Sequence, residues 1–199
     1  MPSGATSAML TQAMLFKKEP SMSRVWAMPN PNTFDCKPIG EFVRRWISGV
    51  SADPFARNSQ LATYTNDLNP DTHAESHLDA VDFLETLRGG DIELDCAIFD
   101  PLYSPGQIKE CYNNIGRDVT GKDTQNAALY KRVRDAIHPL VKNGGVVLSF
   151  GWNSAGMGKT RGYEIEEILL VAHGGAHNDT ICLAERKIRQ PDSLPFARS

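Results

Sequence analysis

The chain has 199 residues, of which 41% are hydrophobic, and a formal net charge of −3. This length and composition support a single domain with one sizeable core, and the acidic balance lacks the basic footprint of a protein that binds nucleic acid by charge alone. The four cysteines form no CxxC pair. We therefore expect buried free thiols in a reducing cytoplasm and no structural zinc. No apolar run approaches the roughly 20 residues that span a bilayer.

The predicted elements alternate between helices and strands along the chain. Residues 1–23 are predicted to form a flexible arm with a short helix over 7–18, and they lack the basic region of a signal peptide. Residues 24–190 form one domain, and residues 191–199 form a tail. Within the domain, apolar periodicity predicts helices within 38–48, 77–90 and 128–143, and strands within 50–56, 61–70, 94–100, 145–152 and, as a closing pair, 163–188.

This order of elements predicts an α/β fold. We expect a Rossmann-like, doubly wound and mostly parallel sheet, with the closing strand pair as an antiparallel edge. Four polar residues, Asp53, Asp67, Asp100 and Asn153, each follow an apolar strand. Because ligands of such sheets bind outside the carboxyl ends of the strands, we expect these four to cluster there. Any single one could also be an ordinary strand end.

The sequence DPLY, which begins at Asp100, has the residue types needed to activate a planar exocyclic amine. A carboxylate oxygen and a backbone carbonyl can hold the amine hydrogens, and Pro101 fixes the chain so that its carbonyl points outward. Tyr103 can then stack on a base that has left the duplex. The alternative is a proline-containing turn with a half-buried tyrosine.

Two further acidic positions follow predicted strands. Asp67 stands where a nucleotide-binding fold places the carboxylate that accepts hydrogen bonds from ribose hydroxyls, although an Asx-turn ahead of Pro70 explains it equally well. Asp79 and Asp82 fit the end of a third strand near an adenine ring, or else the cap of the following helix.

Two short motifs suggest a phosphate-binding loop and a zinc site, but their sequence context argues against both. The GKT at residues 158–160 lacks the spacing of a phosphate-binding P-loop. His173 and His177 are four residues apart, but the glycines between them indicate a turn and not a zinc-binding helix.

Lys159 and Arg161 lie in the glycine-rich stretch after the fifth strand, where they could contact phosphates or form part of a solvated loop.

Taken together, four stretches resemble class I S-adenosylmethionine-dependent amino-methyltransferases that modify DNA. DPLY is similar to their D/N/S-P-P-Y/F/W motif, CKPIGEFVRRWI to their QKPxxLxxxxI segment, SADPFARNS to their LDPFxGSG loop, and YTNDLNP to their cofactor-ribose segment. This resemblance spans about residues 37–150. Residues 24–187 also resemble small methyltransferases carried in bacteriophage genomes, through WAMPN, KPI, NDLNP, SFGWNS and HGGAHNDTI.

The resemblance implies a class I methyltransferase fold, with S-adenosylmethionine as cofactor and DNA with a flipped base as partner. We expect a cytoplasmic location (the host cytoplasm if the protein is phage-encoded), no metal and no membrane. Methyl transfer to adenine-N6 in DNA is the implied activity. Cytosine-N4, RNA or free-nucleotide substrates, or a non-catalytic binding module, remain alternatives. Two positions depart from the family pattern: Leu102 replaces the second motif proline, and Arg57 replaces a loop glycine. The implied catalytic residues are Asp100, Pro101 and Tyr103; the cofactor-binding residues Lys37, Pro38, Asp53, Phe55, Ala56, Asp67, Leu68 and Asp82; and the substrate-binding candidates Leu102, Trp152, Asn153, Lys159 and Arg161.

Overall fold

The computed structural model describes residues 19–101, 126–175 and 177–188. The predicted helix over 7–18, Leu102, Tyr103 and the tail lie outside the described residues. In chain order the described elements are β1 (Ser21–Trp26), α1 (Lys37–Trp46), β2 (Ser51–Asp53), β3 (Tyr64–Thr65), α2 (Ala80–Gly89), β4 (Leu94–Phe99), α3 (Asn126–Leu140), β5 (Val141–Gly151), β6 (Tyr163–Ala172) and β7 (Thr180–Lys187).

The seven strands form one sheet in the order β1-β6-β7-β5-β4-β2-β3. Strand β7 runs antiparallel to both of its neighbours, β5 and β6, and the other strand pairs are parallel. The predicted α/β class, the mostly parallel sheet and the antiparallel closing pair are therefore confirmed. The closing pair is not at the edge of the sheet, however, because β1 lies outside β6.

Strand β1 was not predicted from the sequence. It begins at Ser21, inside the segment assigned to the flexible arm, and pairs in parallel with residues 167–172 of β6. All six of its side chains are exposed, so the strand has no buried face and its sequence carries no alternation of apolar and polar residues. Backbone pairing with β6 places it in the sheet.

Helices cover both faces of the sheet, as a doubly wound fold requires. On one face, Phe42 and Val43 of α1 pack in the same buried cluster as Ile98 and Leu148. On the other face, a second cluster joins α2 and α3 to the intervening strand residues, such as Ala97. Successive residues of β4 thus enter opposite clusters, because side chains alternate along a strand.

The boundary between α3 and β5 differs from the prediction. The sequence indicated that Gly144 and Gly145 end the helix, but α3 ends at Leu140 and β5 begins at the next residue. Val141 already pairs with Leu94 of β4, and a register shift follows before the regular pairing of residues 146–149. The ion pair between Lys142 Nζ and Asp95 Oδ1, at 3.0 Å, also holds the first residues of β5 against β4.

Two general expectations can be compared with the described residues. Cys36, Cys96 and Cys182 are free and buried, as predicted, while Cys111 lies outside the described part of the chain. Among the helices described, none combines the length and the apolar character needed to cross a membrane.

Candidate functional site

Three of the four polar residues that follow strands come together at the carboxyl edge of the sheet. Strand β2 pairs in parallel with β4 and β3, so Asp53, Asp67 and Asp100 emerge at the same edge. Burial raises the pKa of Asp53 well above its usual value, and the nearby charges of Asp100 and Asp67 raise it further. The predicted clustering is confirmed for these three carboxylates.

Asp53 is almost fully enclosed, with 1% of its surface exposed. Its Oδ1 accepts a hydrogen bond from the backbone N–H of Phe55, at 3.0 Å, and this bond opposes the rise in pKa. Its Oδ2 is buried and has no hydrogen-bond partner among the described residues. Since buried polar atoms are nearly always paired, this unpaired oxygen marks a position where a donor group or the carboxyl's own proton is needed.

The substitution Asp53→Asn is expected to remove a pH dependence of stability. A folded-state pKa above the unfolded-state value of about 3.9 means that the native state keeps a proton after the unfolded state has lost it. The contribution to the free energy of unfolding is therefore present at low pH and is lost as pH rises through the folded-state pKa. Urea unfolding over a series of pH values should show a steeper decline for the natural protein than for the variant. Equal slopes would contradict the raised pKa.

A cavity of about 220 Å³ lies beside Asp100. Its walls come from the loop after β2 (residues 55–61), from residues 32–35 ahead of α1, and from the side chains of Arg44 and Asp100. Phe55 and Ala56 therefore line the cavity together with Asp100. The ring of Phe55 is held edge-on to Phe99 of β4, with the ring centroids 6.2 Å apart.

The two predicted cofactor residues at the start of α1 stand outside this wall. Lys37 occupies the first position of the helix, with 85% of its side chain exposed, and its ammonium lies 4.0 Å from Glu41. Pro38 follows it at the second position and is half-buried. Their neighbours Asp35 and Arg44 line the cavity instead. Direct cofactor contacts from Lys37 and Pro38 stay a prediction.

Asp67 fixes the loop that follows β2. Its Oδ1 accepts from the backbone N–H of Asn69, at 2.9 Å, which confirms the Asx-turn interpretation. Its Oδ2 accepts from the backbone N–H of Arg57, at 3.1 Å. This bond joins the loop after β3, which contains Asp67, to the loop after β2, which contains Arg57. Each oxygen keeps a second lone pair, so the predicted ribose contact stays open, as does the role of the half-buried Leu68.

The predicted third strand end near Asp79 and Asp82 is wrong, and the capping alternative is confirmed. Asp79 is the N-cap of α2, and its Oδ1 accepts from the backbone N–H of Val81, at 2.9 Å. Asp82 is exposed in the first turn of α2 and does not line the cavity. The nearest strand-like feature before the helix is an isolated bridge between Asn66 and Ser76.

The substrate-binding candidates after β5 have different surroundings. Trp152 is 49% exposed, and Lys159 is exposed in a 3-10 turn. Asn153 uses its Oδ1 to accept from the backbone N–H of Ala155, at 2.9 Å. Arg161 is half-buried and donates to Asp135, at 2.6 Å, and to the Met157 carbonyl. The guanidinium of Arg161 is thus engaged within the protein, and its contact with a phosphate stays a prediction.

A buried carboxylate that the sequence did not reveal organises this glycine-rich stretch. Glu185 of β7 is 1% exposed and accepts from the backbone N–H groups of Met157, at 2.7 Å, and Gly158, at 3.0 Å, and from Ser149 Oγ at 3.4 Å. Gly156 has φ +41°, and a Cβ there would lie 2.1 Å from the carboxylate. The GKT sequence is therefore part of a loop folded around Glu185 and not a P-loop.

His173 has a structural role. It is 5% exposed, and its ring nitrogens contact the carbonyl of Ala27, at 2.7 Å, and Thr180 Oγ1, at 2.9 Å. His177 is exposed in the turn. In the described part of the chain no group of three or more His, Cys, Asp or Glu side chains is arranged to hold a metal ion.

Arg57 occupies the position where the resemblance leads one to expect glycine. Its backbone φ is +49°, the left-handed region that glycine favours and that other residues rarely adopt. Its guanidinium donates to the carbonyl of Pro31, which directly precedes residues 32–35 of the cavity wall. The loop therefore keeps a glycine-like backbone at Arg57, and the side chain connects the loop after β2 to the segment ahead of α1.

No protein-family model and no curated protein sequence matches this chain. Among solved structures, the chain is similar to a methyltransferase homolog protein from Pyrococcus horikoshii, with 13% identity and a TM-score of 0.46 over 70% of this chain and 61% of that one. It is also similar to NSun6 from Pyrococcus horikoshii, solved with SFG, with 12% identity and a TM-score of 0.45 over 71% of this chain and 48% of that one. TrmN from Thermus thermophilus gives 15% identity and a TM-score of 0.44 over 75% of this chain. The matched region spans only 48% to 61% of the length of these three proteins.

Proposed function

We propose that this chain is a class I S-adenosylmethionine-dependent methyltransferase that modifies the exocyclic amine of a nucleic-acid base, with adenine-N6 in DNA as the first candidate. The observation that carries the proposal is the position of Asp100 and Pro101. They follow the buried strand β4 at the carboxyl edge of the sheet, and Asp100 lines the cavity formed by the loop after β2. The Asp100 carboxylate thus lines the cavity, and the Pro101 carbonyl follows it directly in the chain.

The residues around the cavity fit the proposed cofactor. The cavity wall carries both guanidinium and carboxylate groups, which suits the zwitterionic amino-acid end of S-adenosylmethionine. The unpaired Oδ2 of Asp53 lies in the same group of carboxylates, where a cationic ligand would offset their mutual repulsion. Phe55 and Ala56 would contact this end, and Asp67 would accept from the ribose hydroxyls.

Four further assignments complete the proposed cofactor site. Lys37, Pro38, Leu68 and Asp82 remain proposed cofactor contacts on the strength of the sequence resemblance. When bound, the cofactor supplies an electrophilic methyl group on a sulfonium sulfur.

The chain's own contribution is to prepare the amine. The Asp100 carboxylate and the Pro101 carbonyl accept its two hydrogens, which draws the nitrogen away from conjugation with the ring and exposes its lone pair. The fixed φ of Pro101 limits the directions in which that carbonyl can point. Tyr103 is proposed to stack on the flipped base. No covalent enzyme intermediate is needed.

Exposed side chains near the end of β5 support a nucleic-acid substrate. Trp152 offers an aromatic face at the end of a strand that runs parallel to β4, and Lys159 offers a cation for a phosphate. Cytosine-N4, RNA or a free nucleotide would present the same kind of amine. The net charge of −3 favours the smallest of these substrates.

A non-catalytic module that binds the cofactor or a protein partner is the second candidate, motivated by Leu102 and Arg57. Calorimetric titration with S-adenosylmethionine, set beside transfer of labelled methyl groups to mixed DNA, RNA and nucleotides, separates the two. We expect both binding and transfer. Binding without transfer to any of these substrates would favour the module, and absence of binding would contradict both candidates.

A further inference from the structure

The cavity beside Asp100 is lined by two arginines to which the sequence resemblance assigns no contact with cofactor or substrate. Arg44 comes from α1, and Arg57 comes from the loop after β2. Neither forms an ion pair with a carboxylate in the part of the chain that the structure describes. Two arginines therefore line one small cavity, and neither has an ion-pair partner among the residues that the structure describes.

Arg57 is held in place at an energetic cost. A non-glycine residue in the left-handed region is strained by about 1–2 kcal/mol, and such strain is concentrated at functional sites. Hydrogen bonds fix both ends of the residue: its backbone N–H donates to Asp67, and its Nη1 donates to the Pro31 carbonyl. A guanidinium carries five N–H donors, so this arrangement orients the group and leaves donors for a ligand.

Arg44 reaches the cavity because a glycine precedes it by one turn of α1. Side chains of a helix point back toward its N-terminus, and here the Arg44 Nη1 lies 3.0 Å from the place that a Cβ of Gly40 would occupy. The same Cβ would be 2.3 Å from the carbonyl oxygen of Phe34, one of the residues that line the cavity ahead of α1. Glycine inside a helix costs roughly 1 kcal/mol relative to alanine, and here it allows this close approach.

We propose that Arg57 and Arg44 bind the carboxylate of the cofactor's amino-acid end and so determine which cofactor analogues the cavity accepts. This inference rests on the proposed function. Arginine suits the task because its planar donors match a carboxylate, and charge-assisted hydrogen bonds are stronger than neutral ones. Asp35 and Asp100 in the same cavity supply negative charge for the neighbouring ammonium group.

The test compares two ligands by calorimetry: S-adenosylhomocysteine and its decarboxylated analogue, which keeps the ammonium group but lacks the carboxylate. We expect the natural protein to prefer S-adenosylhomocysteine. The substitutions Arg57→Gly and Arg44→Gln should each weaken the binding of S-adenosylhomocysteine on the order of 10- to 100-fold. Binding of the decarboxylated analogue should stay nearly unchanged. Arg57→Gly should fold well, because glycine relieves the left-handed strain.

The control is Arg88→Gln, on the exposed end of α2, where the arginine pairs with Glu85. The Arg88→Gln variant should bind S-adenosylhomocysteine and its decarboxylated analogue with the affinities of the natural protein. If Arg57→Gly and Arg44→Gln keep the full preference for the carboxylate-bearing ligand, the inference is wrong while the proposed function stands. If the natural protein binds neither ligand, both are wrong.

Discussion

An Asp100→Ala variant is expected to lose methyl transfer by at least about a hundredfold while still binding the cofactor. Asp100 follows the buried strand β4 and lines the cavity, where its carboxylate is proposed to hold one amine hydrogen. Its removal should leave the amine conjugated with the base and unreactive. Asp100 also raises the pKa of the buried Asp53 by repulsion, and its loss should relieve that repulsion. Transfer of labelled methyl groups, measured beside calorimetric binding, gives both quantities.

The conservative variant Asp100→Asn keeps one acceptor oxygen and should retain more transfer than Asp100→Ala. Asp91→Asn is a matched control: Asp91 is exposed and, with φ +53°, has a left-handed backbone that asparagine tolerates. It should behave as the natural protein does. Unchanged transfer by Asp100→Ala would contradict the catalytic role of this residue.

Replacing Glu185 with alanine is expected to lower the free energy of unfolding by about 3–5 kcal/mol. The substitution leaves the buried N–H groups of Met157 and Gly158 and the hydroxyl of Ser149 without their acceptor. Removing one partner of a buried polar group costs the full desolvation of the groups left behind. Urea unfolding followed by circular dichroism measures the loss.

Glu185→Gln should have an intermediate effect, because an amide offers one acceptor oxygen but places its NH₂ group against a backbone donor. Glu93→Ala provides the control, since Glu93 is exposed and its loss should change stability by no more than about 0.5 kcal/mol. A Glu185→Ala variant as stable as the control would show that the carboxylate does not hold the loop after β5.

The cluster at the sheet edge could be predicted because strand direction is a consequence of element order. Alternating strands and helices require parallel strands, and parallel strands end at one edge, so Asp53, Asp67 and Asp100 had to approach one another. Their pairwise repulsion in the structure reflects the same geometry. Asp79 and Asp82 were misplaced because a cap and a strand end have similar local sequences, and the choice depends on whether a strand pairs there.

Other features depend on contacts between distant parts of the chain and leave no local pattern. Every side chain of β1 is exposed, so only its backbone pairing with β6 shows that this segment is a strand. Glu185 is 28 residues from Met157, and nothing in the sequence of either shows that one binds the other. Arg57 differs from an ordinary loop arginine only in its backbone conformation and its reach to Pro31.

Mass spectrometry of nucleosides from DNA incubated with the protein and S-adenosylmethionine tests the central claim most directly, because it names the product base. The proposed function predicts N6-methyladenine that depends on both protein and cofactor and is lost with Asp100→Ala. N4-methylcytosine would keep the amine chemistry and change the base. A product methylated on a ring carbon, or no methylated nucleoside in DNA, RNA or free nucleotides despite cofactor binding, would contradict the claim that Asp100 and Pro101 prepare an exocyclic amine.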